Sequence, residues 1–319
     1  MGPRYHIEGT KEFGYITINR FLYSFYTYMN TVKRLTELYH YASVKFLKGY
    51  VAHFCYIRLI SFDTFGKVVV EHKDYVTANC ILRMLGDCVA IFRLIYLEPD
   101  NDLRILRHAL YVIDGCERNL VVLPDREVPK GAMPDNESEE VNRITHDSRE
   151  DRKRLMKEAQ EMLDASPLKK KDEKAFNKIV EYRNWKFKEF KDYKKKGSNQ
   201  YKWSELYELI DECKDFDLLS YFSQYAHGLS MSNLVIQLNE YNINGLMAEA
   251  TGLIDRLHEY TLDFFKEEQP YILEGYLDPV MRSKVLACFD KKHRPSVDAW
   301  NQEVIDKLSQ MRYSMMSKN

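Results

Sequence analysis

The chain has 319 residues, a net charge of −1, 45% hydrophobic and 30% charged residues. Thirteen glycines and nine prolines are too few for a turn-dense sandwich or barrel, which leaves long helices as the expected elements. The apolar content excludes a wholly disordered chain, no apolar run is long enough to cross a bilayer, and the near-neutral charge implies no polyanionic partner for the chain as a whole.

Apolar residues from Ile18 to Ser61, including Phe21, Leu22, Phe25, Met29, Val32 and Leu35, recur at helical intervals. This predicts one long helix, capped at Thr17 or Asn19, bent at Gly49 and ended near Phe65-Gly66. A second helix is expected over Tyr75–Tyr96. Pro99-Asp100-Asn101-Asp102 then forms a turn and cap for a third, Asp102–Leu120. Short connections predict antiparallel packing. Only Val68-Val69-Val70 suggests a strand, at most as a short hairpin near Phe65–Val70.

The expected divisions are a helical part over 1–123, an acidic proline-containing linker over 124–150, a charged and basic helical insertion over 151–202, and a helical part over 203–319 completing the bundle. Helix returns from Asp147 to Asp164, breaks at Ser166-Pro167, and resumes as a basic helix over Lys169–Lys196. Short helices are expected from Ser204 and from Asp215 or Asp217 to His227-Gly228. A longer one runs from Met231 to Lys266 with an interruption at Asn244-Gly245, followed by Asp278–Phe289 and Ser296–Met315. The fold class is all-α, a multi-helix bundle of mostly antiparallel helices with a charged central insertion.

The six cysteines are scattered without a Cys-x-x-Cys pair, and the first residues lack an apolar signal core, so a cytoplasmic location is expected. Three carboxylate-x-x-His pairs, Glu37/His40, Asp255/His258 and Asp290/His293, carry a spacing used by metal-binding bundles, but chance alone gives about one such pair. Neither a metal nor a cofactor is therefore expected. Gly-x-Ser-x-Gly, Gly-x-Gly-x-x-Gly and phosphate-loop signatures are missing.

Arg34-Leu35-Thr36-Glu37-Leu38-Tyr39-His40 resembles the Arg-to-His motif of the HEPN helical ribonucleases. The resemblance implies that Arg34 would hold phosphate and His40 would exchange protons. Between Leu168 and Lys202 there are thirteen basic and five acidic residues, a local net of +8. Arg183, Trp185, Lys186, Lys188 and Lys191 interleave charge with rings in the manner of single-strand nucleic-acid binders. The competing reading is an amphipathic helix with its rings inward and its lysines in solvent.

Two further segments, Ala78-Asn79-Cys80-Ile81-Leu82-Arg83-Met84-Leu85-Gly86-Asp87 and Ser223-Gln224-Tyr225-Ala226-His227-Gly228, are similar to a bacterial helical family designated domain of unknown function 5677. The matching positions are Arg83, Asp87, Ser223 and His227, with Asp87 standing where the family has Glu. The resemblance implies a helical fold with the Arg and the acidic residue on one helix and the Ser and His on a later one, and brings no activity with it. Independently, Arg83 and Asp87 are four apart and share a helix face. The combined expectation is a binding or regulatory module with a buried polar Arg83–Asp87–Ser223–His227 cluster and a protein or small-molecule partner. The alternative is a HEPN-like ribonuclease or a single-stranded nucleic-acid binder.

Overall fold

The computed structural model describes residues 13–316 except 124, 126, 130, 196, 211–217 and 227–239. Its elements are helical: α1 (Phe13–Leu38), α2 (Leu47–Lys67), α3 (Tyr75–Tyr96), α4 (Asn101–Val122), α5 (Asp135–Asp164), α6 (Leu168–Lys171), α7 (Glu173–Glu181), α8 (Trp203–Glu208), α9 (Leu218–Ala226), α10 (Glu240–Phe264), α11 (Gln269–Glu274), α12 (Pro279–Ala287) and α13 (Val297–Met316). Among the described residues there is no strand, and only an isolated antiparallel bridge joins Phe187 to Gln200. No described helix is long and apolar enough to cross a membrane.

The chain divides into two compact units, residues 1–40, 51–93 and 203–319 in one and residues 41–50 and 94–202 in the other. In the first, α1 and α2 are antiparallel, because Phe21 packs on Phe65 while Tyr28 packs on Phe62 and donates to the Cys55 carbonyl. The α2–α3 pair is antiparallel too: Phe54 meets Phe92, and Arg58 reaches Met84 and Cys88. By contrast α1 and α10 run parallel. Phe21 and Met247 line one groove, Thr31 hydrogen-bonds His258, and Tyr39 stacks on Phe265. Helices so distant in sequence are free of the short loop that forces an antiparallel turn. Tyr23, Tyr276, Val285, Phe289 and a fully buried Trp300 form a further core cluster of this unit. In the second unit, α4 and α5 pack along each other, with Ala159 and Leu163 of α5 buried, as are Leu106 and Leu110 of α4.

Several helix ends follow local chemistry. The Asp100 carboxylate accepts from the amides of Asp102 and Leu103, Asp278 caps Met281 ahead of Pro279, and Ser296 Oγ accepts from Ala299.

Five expectations need correction. The single helix over Ile18–Ser61 is broken at residues 39–46, where Glu158 accepts from Ser43 Oγ and the Val44 amide and His108 donates to the Val44 carbonyl. The acidic stretch expected to be a linker is helical from Asp135 onward, since Pro134 precedes the helix and Asp135 and Glu137 sit in its first turn, where negative charge is favourable. The basic helix over Lys169–Lys196 ends at Glu181. There Arg183 adopts φ 49°, its amide bonds the Val180 carbonyl and the Asn184 amide bonds the Ile179 carbonyl, a Schellman closure without glycine. The Val68–Val70 run is part of a π-helical turn, Val68–His72, closed by left-handed Lys73. Helix α10 is continuous through Asn244 and Gly245. The expected caps at Ser230 and Ser232 lie outside the described residues.

Candidate functional site

Helix α3 carries Tyr75, Asn79, Arg83 and Asp87 at successive four-residue steps, so they form one stripe along its face. Arg83 Nε donates to Ser223 Oγ of α9 at 2.7 Å, and its Nη1 pairs with Asp87. The same Asp87 oxygen accepts from the Tyr207 hydroxyl of α8 at 2.6 Å. The guanidinium carbon lies 4.9 Å from the Tyr207 ring centroid and 5.8 Å from that of Trp203. With side-chain exposures of 14% for Arg83 and 27% for Asp87, the pair is partly shielded rather than buried as expected, because the covering rings of α8 leave some of both side chains in solvent. Three of the four expected cluster residues therefore meet. His227 lies outside the described residues.

Above this pair the stripe continues as a tyrosine network. Tyr221 bonds Tyr75 at 3.1 Å and Tyr225 at 2.7 Å through their hydroxyls, and burial raises the pKa of all three phenols, so they remain protonated donors. Between the network and Arg83, fully buried Asn79 gives its Nδ2 to the Tyr75 carbonyl, while its Oδ1 has no hydrogen-bond partner among the described residues. Trp203, Tyr207, Tyr221 and Tyr225 were not singled out as site residues by the sequence. The four-residue spacing of Trp203 and Tyr207 was available, but nothing local says that their rings cover Arg83.

Arg34 and His40 do not share a helix. His40 is exposed beyond the end of α1. Arg34 donates to Glu37 and to the Tyr271 carbonyl, and its guanidinium lies 3.6 Å from the Tyr271 ring centroid. These partners occupy the cation expected to hold phosphate. The carboxylate-x-x-His pairs are similarly engaged: Asp255 pairs with Arg20, and His258 bonds Thr31. Among the described residues no group of three or more His, Cys, Asp or Glu is placed to hold a metal ion.

The basic aromatic segment is a folded loop with most of its rings inward and Phe190 half-buried. Trp185, Phe187 and Tyr193 are buried. Trp185 Nε1 donates to Asp114 and its ring meets Tyr111 edge-on. Arg183 forms a two-pronged pair with Glu117, Lys191 pairs with Glu189, Lys186 lies over Trp185, and Lys188 lies over Tyr201. The Trp185 ring is therefore not available as a stacking platform for unpaired bases.

No protein-family model, curated protein or solved structure matches the chain.

Proposed function

We propose that this protein is a binding module of regulatory type, and that the Arg83–Asp87–Ser223 cluster is its ligand-contacting element. One observation carries the reading. The Arg83 guanidinium is fixed by Ser223 at Nε, by Asp87 at Nη1 and by two aromatic faces, while its Nη2 has no partner among the described residues. A guanidinium held this way offers a directed N–H edge to a carboxylate or phosphate oxygen with little ordering left to pay for. Asp87 offsets the positive charge, so recognition depends on hydrogen-bond direction more than on net attraction. Asn79 Oδ1, a buried acceptor on the same helix face, adds polar character to the site.

The test is a thermal-shift titration of the full chain with inorganic phosphate, acetate, glutamate and adenosine monophosphate. A ligand selective for the native state at a hundredfold excess over its Kd adds about 2.7 kcal/mol, a rise of several degrees. At least one of these anions is expected to raise the melting temperature saturably in wild type and not in Arg83→Lys or Ser223→Ala. No saturable rise with any of the four, or an equal rise in Arg83→Lys, overturns the assignment.

A further inference from the structure

Residues 168–202 contain twelve lysines and a single arginine. That arginine, Arg183, is committed to Glu117. The remaining positive charge is carried by ammonium groups, which neutralise phosphates as point charges but lack the planar fork that reads base edges.

The loop that presents these lysines is pinned from beneath. Buried Arg107 donates to the carbonyls of Trp185 and Phe187 at 3.2 and 2.8 Å. Asn199 accepts from the Glu189 amide and donates to its carbonyl, and Asn184 donates to the Asn199 carbonyl. The Tyr201 amide bonds the Lys186 carbonyl at 2.8 Å beside the Phe187–Gln200 bridge. Helix α7 buries Ala175, Phe176 and Ile179, leaving Lys174 exposed. Lys178 lies over Tyr182, and the Tyr182 ring packs on Tyr193, next to Lys194 and Lys195. The outer face of α7 and the tip of the loop thus form one surface. Lys174, Lys194 and Lys195 on it, and Lys171 at the end of α6 just ahead of α7, are exposed and make no ion pair among the described residues.

We propose that this surface binds the phosphate backbone of double-stranded nucleic acid without reading its sequence. Burial of Trp185, Phe187 and Tyr193, with Phe190 half-buried, removes most of the ring surface that favours single strands, and a surface dominated by charge gains most from the higher charge density of a duplex. A lipid surface fits less well, because none of the exposed large hydrophobic residues falls within 168–202 to insert between headgroups. Residues 168–202 and the Arg83 site belong to different units of the chain.

The experiment is fluorescence anisotropy of the full chain with a labelled duplex of about 20 base pairs at about 50 and 200 mM salt. Neutralising about four phosphates predicts a loss of affinity on the order of a hundredfold between these salts. Lys174→Glu with Lys194→Glu should weaken binding at low salt by about tenfold or more, whereas Lys291→Glu with Lys292→Glu, an equal charge change elsewhere on the surface, should leave it nearly unchanged. A single strand of equal length should bind more weakly. No duplex binding at low salt, equal loss in both charge-reversed proteins, or tighter binding of single strands, polyglutamate or phosphatidylserine vesicles overturns the proposal. Circular dichroism of the two variants confirms that these exposed substitutions leave the helices intact.

Discussion

Arg107 lies against Phe187, its guanidinium carbon 3.9 Å from the ring centroid and its Nη1 donating to the Phe187 carbonyl at 2.8 Å. The side chain is 4% exposed, Glu98 stands 3.5 Å from Nε, and burial lowers its pKa to about 10. This buried cation ties a lysine-rich loop to α4. Replacing it by Leu leaves two carbonyls and a carboxylate short of a donor, and breaking a buried pair of this kind costs about 3–5 kcal/mol. Urea denaturation of Arg107→Leu should show that loss, and trypsin should cut faster within 186–195. An unchanged midpoint and unchanged cleavage would show that the loop is held by its rings alone.

Gly275 is required by close approach. A Cβ there would stand 2.2 Å from Asn30 Oδ1 and 3.1 Å from the Arg34 Cδ. Asn30 cannot simply move, since its Nδ2 donates to the Ile272 carbonyl at 2.9 Å. Gly275→Ala is expected to destabilise by about 1–3 kcal/mol as an overpacked site. The cost should shrink in an Asn30→Ala background, a coupling that a double-mutant cycle reads directly. Additive effects would contradict the clash.

His108 is fully buried, bonded to the Val44 carbonyl through Nε2 and to the Tyr96 hydroxyl through Nδ1, and burial lowers its pKa from 6.5 to about 4. The unfolded chain therefore takes up this proton before the native state does. Stability is fully present above pH 6.5, falls as pH drops from 6.5 to about 4, and is flat for this group below that. The whole window is worth up to about 3 kcal/mol. His258 is shifted in the same direction by burial, so His108→Gln should reduce the slope without abolishing it. Chemical denaturation at half-unit pH steps measures this. An unaltered slope in His108→Gln would place the titration elsewhere.

Arg183 occupies a left-handed position at φ 49°, which costs a non-glycine residue about 1–2 kcal/mol. Its pairing with Glu117, about a third exposed on both sides, offsets part of that cost. Arg183→Ala loses the pair and keeps the strain, whereas Arg183→Gly loses the pair and relieves it. The alanine variant should melt below the glycine variant, by about 1 kcal/mol in stability. The reverse order would contradict the strain.

What the sequence reveals depends on how far each determinant reaches. Asp100, Asp278 and Ser296 act on amides two or three residues away, and those helix starts are legible. The break at residues 39–46 depends on Glu158 and His108, more than sixty positions distant, so the apolar period ran straight through it. The end of α7 is hidden for another reason: Arg183 takes the place where glycine is the usual marker. Asp135 and Glu137 carry two meanings, polar linker or first turn of a helix, and composition favoured the first. At the candidate site the four-residue spacing puts Arg83 and Asp87 on one face, but the rings of Trp203 and Tyr207 reach Arg83 only through tertiary packing.

Under the proposed function Arg83 presents an anchored guanidinium edge to an anionic ligand, and side-chain nitrogen NMR observes that edge itself. The Arg83 Nε–H signal is assigned by its loss in Arg83→Lys and identified as hydrogen-bonded by its change in Ser223→Ala. Titrating the anion that raises the melting temperature should shift the Arg83 signals saturably, with the same midpoint as the thermal shift, and leave those of Arg107 and Arg183 in place. An Arg83 signal that stays fixed while the protein is stabilised would contradict the account.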